Sequence, residues 1–71
     1  MKNIEDISSQ LEAILDSSKL STVVQALGEI CFAKAEHLQS NWQDRELAHI
    51  WERAGNKLVN ASINHYIARI P

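Results

Sequence analysis

An apolar seam in the middle of the chain constrains its fold more than any other feature. Leu20, Val24, Leu27, Cys31, Ala35 and Leu38 recur at spacings of 4-3-4-4-3, and Val23 and Ile30 widen the seam on one flank. Only an α-helix gathers residues so spaced onto one side, because its repeat of about 3.6 residues per turn returns to the same face every three or four positions. The near-heptad rhythm calls for a long antiparallel partner. Gly28 interrupts the pattern at a cost of about 1 kcal/mol relative to alanine, as expected where two helices cross closely. The seam predicts a helix over about 21–39, opened by Ser21 or Ser18.

Two further helices flank it. Ile4, Ile7, Leu11, Ile14 and Leu15 form a stripe that predicts a helix over about 4–16. Asn3 is placed to cap it, and Glu5 and Asp6 sit where the positive end of the helix dipole favours acids. After Ser40-Asn41-Trp42-Gln43-Asp44, which breaks the periodicity, Leu47, Trp51, Ala54, Leu58 and Ala61 predict a third helix over about 44–69. Asn41 and Asp44 are both candidate caps for it. Late in this helix the stripe rotates: Ile63, Ile67 and Ile70 fall about 150° away at 100° per residue, with Val59 and Tyr66 between the two stripes. Such a rotation requires a bend near Gly55 or Asn60, or a packing partner other than the chain's own hairpin. The expected fold is therefore all-α. It is a single domain over 1–71 with three helices, built on a long antiparallel hairpin with the first helix across its open face, and it belongs to an oligomeric bundle.

Size and composition narrow the function. A chain of 71 residues holds one small domain, only marginally stable alone. Its single cysteine excludes an internal disulfide, which leaves good packing, a metal or oligomerisation as the source of stability. No run of residues approaches the ~18 apolar positions of a membrane helix. The acidic start, Met1-Lys2-Asn3-Ile4-Glu5-Asp6, does not read as a signal peptide, so the expected address is the cytoplasm, away from membranes, with Cys31 reduced. The net charge is −2, with acids in excess up to Glu36 and bases slightly in excess from His37 onward. This balance exerts no strong pull on nucleic acid or anionic lipid.

The chemistry-bearing residues are sparse. Glu46-x-x-His49 matches the carboxylate–histidine spacing of di-iron bundles, but both residues lie well away from the Leu47–Leu58 face, as on a solvated helix surface. Cys31 falls on the seam, where a thiol is buried and inert. His65 falls on the line of Trp51 and Leu58 and His37 beside the second helix's seam; a bonded or surface histidine accounts for each. Neither a nucleophile–base arrangement nor a glycine-rich phosphate loop is present. The residues therefore imply no enzyme, no cofactor and no metal.

Two surfaces remain. Arg53, Lys57, Asn60 and Asn64 line up at 4-3-4 spacing with Asn56 beside them. Cations hold phosphates and asparagine reads adenine, so this face is the candidate nucleic-acid surface, with the acidic net charge and Glu46 on the same stripe against it. The other surface is apolar. Phe32 lies on the polar side of the second helix near Gln25, Glu29 and Glu36. With the rotated Ile63/Ile67/Ile70 stripe, Tyr66 and the loop residue Trp42, it amounts to more apolar surface than one intramolecular core needs. The expected partner is a second copy of the chain, as a homodimer, or a different protein.

The stretch from Leu27 to Ala54, especially Ala35-Glu36-His37-Leu38-Gln39-Ser40-Asn41-Trp42-Gln43-Asp44 followed by Trp51-Glu52-Arg53-Ala54, resembles short helical proteins of cyanobacteria. The resemblance covers less than half of the chain. It implies a bacterial cytoplasmic origin and carries no activity or site residue to transfer.

Overall fold

A computed structural model describes residues 3–42 and 44–71, the side chains of 41 and 42 excepted. The described residues form helices joined by short turns, without a strand. The elements are α1 (Ile4–Leu15), α2 (Leu20–His37), a π-helical turn (Leu38–Trp42), α3 (Arg45–Ser62) and α4 (His65–Arg69). The all-α fold and the α2–α3 hairpin match the expectation from periodicity.

The helix starts follow local chemistry at three of four positions. The Asn3 side chain accepts a hydrogen bond from the Asp6 amide at 2.9 Å, and Asp44 accepts one from the Leu47 amide at 3.0 Å. Each satisfies an amide that the first turn leaves without a helical partner. Of the two caps considered for α3, Asp44 is the one used. α2 departs from expectation: neither Ser18 nor Ser21 opens it, and Lys19 is the cap residue, with no side-chain hydrogen bond.

The predicted third helix is two helices. α3 stops at Ser62, Asn64 turns to extended backbone (φ −60°, ψ 139°), and its side chain caps α4 through the Tyr66 amide at 3.0 Å. Asparagine favours such a break because its side chain replaces the backbone partner that the helix gives up. The break removes the need for a bend near Gly55 or Asn60 and accounts for the rotated stripe: a new helix axis, not one continuous face, carries Ile67, and Ile70 follows in extended backbone just beyond its end.

α2 and α3 pack on a seam of small residues. The buried positions are Gly28, Cys31 and Ala35 on α2, and Ala48, Gly55 and Ser62 on α3. Each of the two glycines lies against the other helix's backbone: a Cβ on Gly28 would stand 3.1 Å from the Gly55 carbonyl oxygen, and one on Gly55 would stand 3.0 Å from that of Gly28. Reciprocal covers close the gap, with Val59 over Gly28 and Phe32 over Gly55. The seam is thus rotated from the one read by hydrophobicity. Leu27 and Leu47, expected inside it, are each 40% exposed. Close approach of the two backbones requires the small residues between them, and that turns the larger neighbours outward.

α1 also departs from expectation. It folds back along α2 alone and reaches neither α3 nor α4. A tight turn, in which the Ser17 amide and hydroxyl both donate to the Ile14 carbonyl, returns the chain beside α2. Leu11 and Ile14 face Val23, Leu27 and Ile30 across an open groove of about 250 Å³. The three long helices therefore stand side by side, and the Cα framework measures 39 × 31 × 15 Å. No common core gathers all three stripes.

Candidate interaction surface

The small-residue seam determines what the rest of the surface carries. At 100° per residue, Leu20, Val23, Leu27 and Ile30 lie on one flank of the Gly28–Ala35 line of α2, and Gln25, Glu29 and Glu36 lie on the other. On α3, Leu47, Ile50, Ala54 and Leu58 lie on one flank of the Ala48–Gly55–Ser62 line, and Arg45, His49, Glu52 and Asn56 lie on the other. Antiparallel packing puts the two apolar flanks on the same side of the hairpin and the two polar flanks on the opposite side. The layer has one apolar face and one polar face.

The apolar face is open. Leu27 and Leu47 are exposed, as are Ile30 (52%) and Ile50 (57%). On α1, Ile7, Ile14 and Leu15 are exposed as well. No large side chain among the described residues is fully buried. The accessible surface is 5843 Å², whereas a compact monomer of 8.0 kDa exposes about 4,450 Å². The radius of gyration, 13.9 Å, likewise exceeds the ~11 Å of a compact domain of this length.

The expected interface residues are dispersed. Phe32 does not lie free on the polar side: its ring is half-buried against Gly55, so it belongs to the hairpin and not to surplus surface. Ile67 is half-buried, while Ile63 (74%), Tyr66 (76%) and Ile70 (47%) remain exposed at and beyond the α3–α4 break. The Trp42 side chain lies outside the described residues. Sequence reasoning missed the outward placement of Leu27 and Leu47. The signal was present in Ala48, Gly55 and Ser62, small residues repeating every seven positions on α3, and in Gly28 and Ala35 at the same spacing on α2.

The polar candidate is partly assembled. Arg53, Asn56, Lys57 and Asn60 line a shallow groove of about 380 Å³ on the outer edge of α3. Asn64 does not extend it, since it stands beyond the end of α3 and its side-chain oxygen is engaged in capping α4. Glu46 and His49 are exposed, and the described residues hold no group of three or more metal-ligating side chains. His65 is exposed too; Arg69 Nη1 stands 3.1 Å from its Nε2, and its ring meets that of Tyr66 edge-on. Cys31 is buried with a free thiol. Among the described residues no helix is long and apolar enough to cross a membrane.

Comparisons with protein-family models, with curated proteins and with solved structures return no match.

Proposed function

We propose that this chain is a non-enzymatic helical module that works by self-association, as a homodimer. A single observation carries the reading: the chain exposes about 1,400 Å² more than a compact protein of its mass. Stable interfaces bury about 800 Å² per partner, so the surplus is large enough for one. A lone cysteine buried as a free thiol agrees with a reducing compartment, the cytoplasm, as its setting. Light scattering on a sizing column tests the reading. The expected mass is twice the 8.0 kDa chain mass at micromolar concentration. A single-chain mass at every concentration refutes self-association and leaves a different protein as the partner to seek.

The groove on the outer edge of α3 favours one alternative, a small nucleic-acid-binding regulator. Its cations, Arg53 and Lys57, sit beside Asn56 and Asn60, an arrangement suited to phosphate contacts. On this alternative the chain binds a random duplex at low salt, loses it as salt rises, and fails to bind as Arg53→Ala/Lys57→Ala while keeping its helicity. On the self-association reading no duplex binding is expected even at low salt.

A further inference from the structure

We infer that a second copy of this chain covers the apolar face of the α1–α2–α3 layer, apolar face to apolar face, so that the exposed C-terminal residues Ile63 and Tyr66 stay outside the contact. The inference rests on the self-association proposed above and names the surface and its occupant.

A helix with an apolar stripe must bury that stripe against another element, and stable domains do so by stacking at least two layers around one core. Here α1 meets α2 alone and α2 meets α3, so the three long helices stand in a single layer. The hairpin uses Gly28, Ala35, Ala48, Gly55 and Ser62 to hold itself together, and leaves Leu27, Ile30, Leu47 and Ile50 uncovered. The large apolar residues thus lie where a second layer would sit, and the polar flanks turn away from it.

The chemistry of the face suits an identical partner. In a two-fold dimer every charge near the axis meets its own copy, so a charged face repels itself and a neutral apolar one does not. The α2 and α3 flanks on this side carry leucines and isoleucines, with Lys34 as the charged residue on α2. The acids Glu29, Glu36 and Glu52 lie on the other side or near it by the same angular count. The surplus surface also exceeds what each partner of a standard interface buries. Ile63 and Tyr66 are individually more exposed, but they flank the α3–α4 break, Ile67 already packs within its own chain, and α4 spans only His65–Arg69, so no long helix carries them as one stripe.

Sedimentation equilibrium of the full chain tests the inference, with Leu47→Ala/Ile50→Ala compared against Ile63→Ala/Tyr66→Ala. Alanine favours helix, so each variant is expected to keep its helical circular dichroism at concentrations where it is dimeric. A wild-type dimer whose dissociation constant rises at least about tenfold in the Leu47/Ile50 variant, and stays within about threefold in the other, supports this face. The reverse pattern overturns the face while self-association stands. A wild-type monomer overturns both. Thiol labelling of Ile50→Cys and Ile63→Cys, each with Cys31→Ala so that the introduced thiol is the one read, gives a readout independent of truncating the apolar face. The position-50 thiol is expected to label at least about tenfold more slowly above the dissociation constant than below it, with the position-63 thiol equally fast at both. Equal rates at position 50 overturn the inference.

Discussion

Replacing Gly55 with alanine is expected to lower the melting temperature by roughly 5–15 °C, although the residue lies in the middle of a helix, where alanine ordinarily stabilises. On an exposed helix the exchange gains about 1 kcal/mol, because glycine loses more backbone freedom on folding. At Gly55 the new Cβ meets the Phe32 ring at 2.7 Å and the Gly28 carbonyl oxygen at 3.0 Å. The ring can swing, but the carbonyl belongs to α2 itself, so the two helices must part. Overpacking of this kind costs about 1–3 kcal/mol, a large fraction of what a small domain has to lose. Gly28→Ala meets Val59 Cγ2 at 2.7 Å and the Gly55 carbonyl oxygen at 3.1 Å, and is expected to act in the same direction. Because the two glycines touch, the double variant is expected to cost less than the sum of the singles: once the helices have parted for one methyl, the second finds room. A rise in melting temperature for either single variant, followed by circular dichroism, would sink the close crossing.

That crossing also decides how much of the molecule was legible in the sequence. The helices themselves were, since Val24, Cys31 and Ala35 on α2 and Trp51, Ala54 and Leu58 on α3 recur at helical spacing, and Asn3 and Asp44 cap where capping residues are expected. The register of the hairpin was not. Hydrophobicity ranks Leu27 above Gly28 and Leu47 above Ala48, so a seam read by apolar content puts the large residues inside. Van der Waals packing of two backbones instead rewards the smallest residues at the contact. Phe32 was misplaced for the same reason: once Gly55 sets the seam, an aromatic ring on the apparent polar side becomes its lid. The end of α3 was hidden because Asn60, Ser62 and Asn64 all disfavour a helix interior, and the choice among them depends on where Ile67 can turn inward against α2 and α3. The candidate surface inherits these errors. The sequence announced a surplus of apolar residues and assigned it to the C-terminus and to Phe32; Ile63, Tyr66 and Ile70 are exposed, Phe32 is not, and a second open apolar surface lies across α2 and α3.

The same partition of residues links the fold to its proposed use. A hairpin held by glycine and alanine gains little hydrophobic stabilisation per residue, since buried apolar area sets that term at about 25 cal/mol per Å². The residues able to supply more, Leu27, Ile30, Leu47 and Ile50, contribute fully only when something covers them. Stability and association are then one quantity, and a dimer without a stable folded monomer has a stability that depends on its concentration.

Dilution of the wild-type chain is accordingly expected to melt it. For a folded dimer in equilibrium with two unfolded chains, a hundredfold dilution removes about 2.7 kcal/mol per dimer at 25 °C. At about 0.7 kcal/mol of unfolding enthalpy per residue, the two 71-residue chains together have a melting enthalpy near 100 kcal/mol. A hundredfold dilution should then lower the melting temperature by roughly 10 °C. Circular dichroism at 222 nm in cells of different path length measures this without a label or a mutation. A melting temperature constant to within about 1 °C over that range would mean that the layer folds alone, and that the open leucines and isoleucines contribute nothing through a second copy. A shift near the expected size, with the Leu47→Ala/Ile50→Ala variant melting well below the wild type at equal concentration and the Ile63→Ala/Tyr66→Ala variant melting close to it, would tie the dependence to the apolar face of the hairpin.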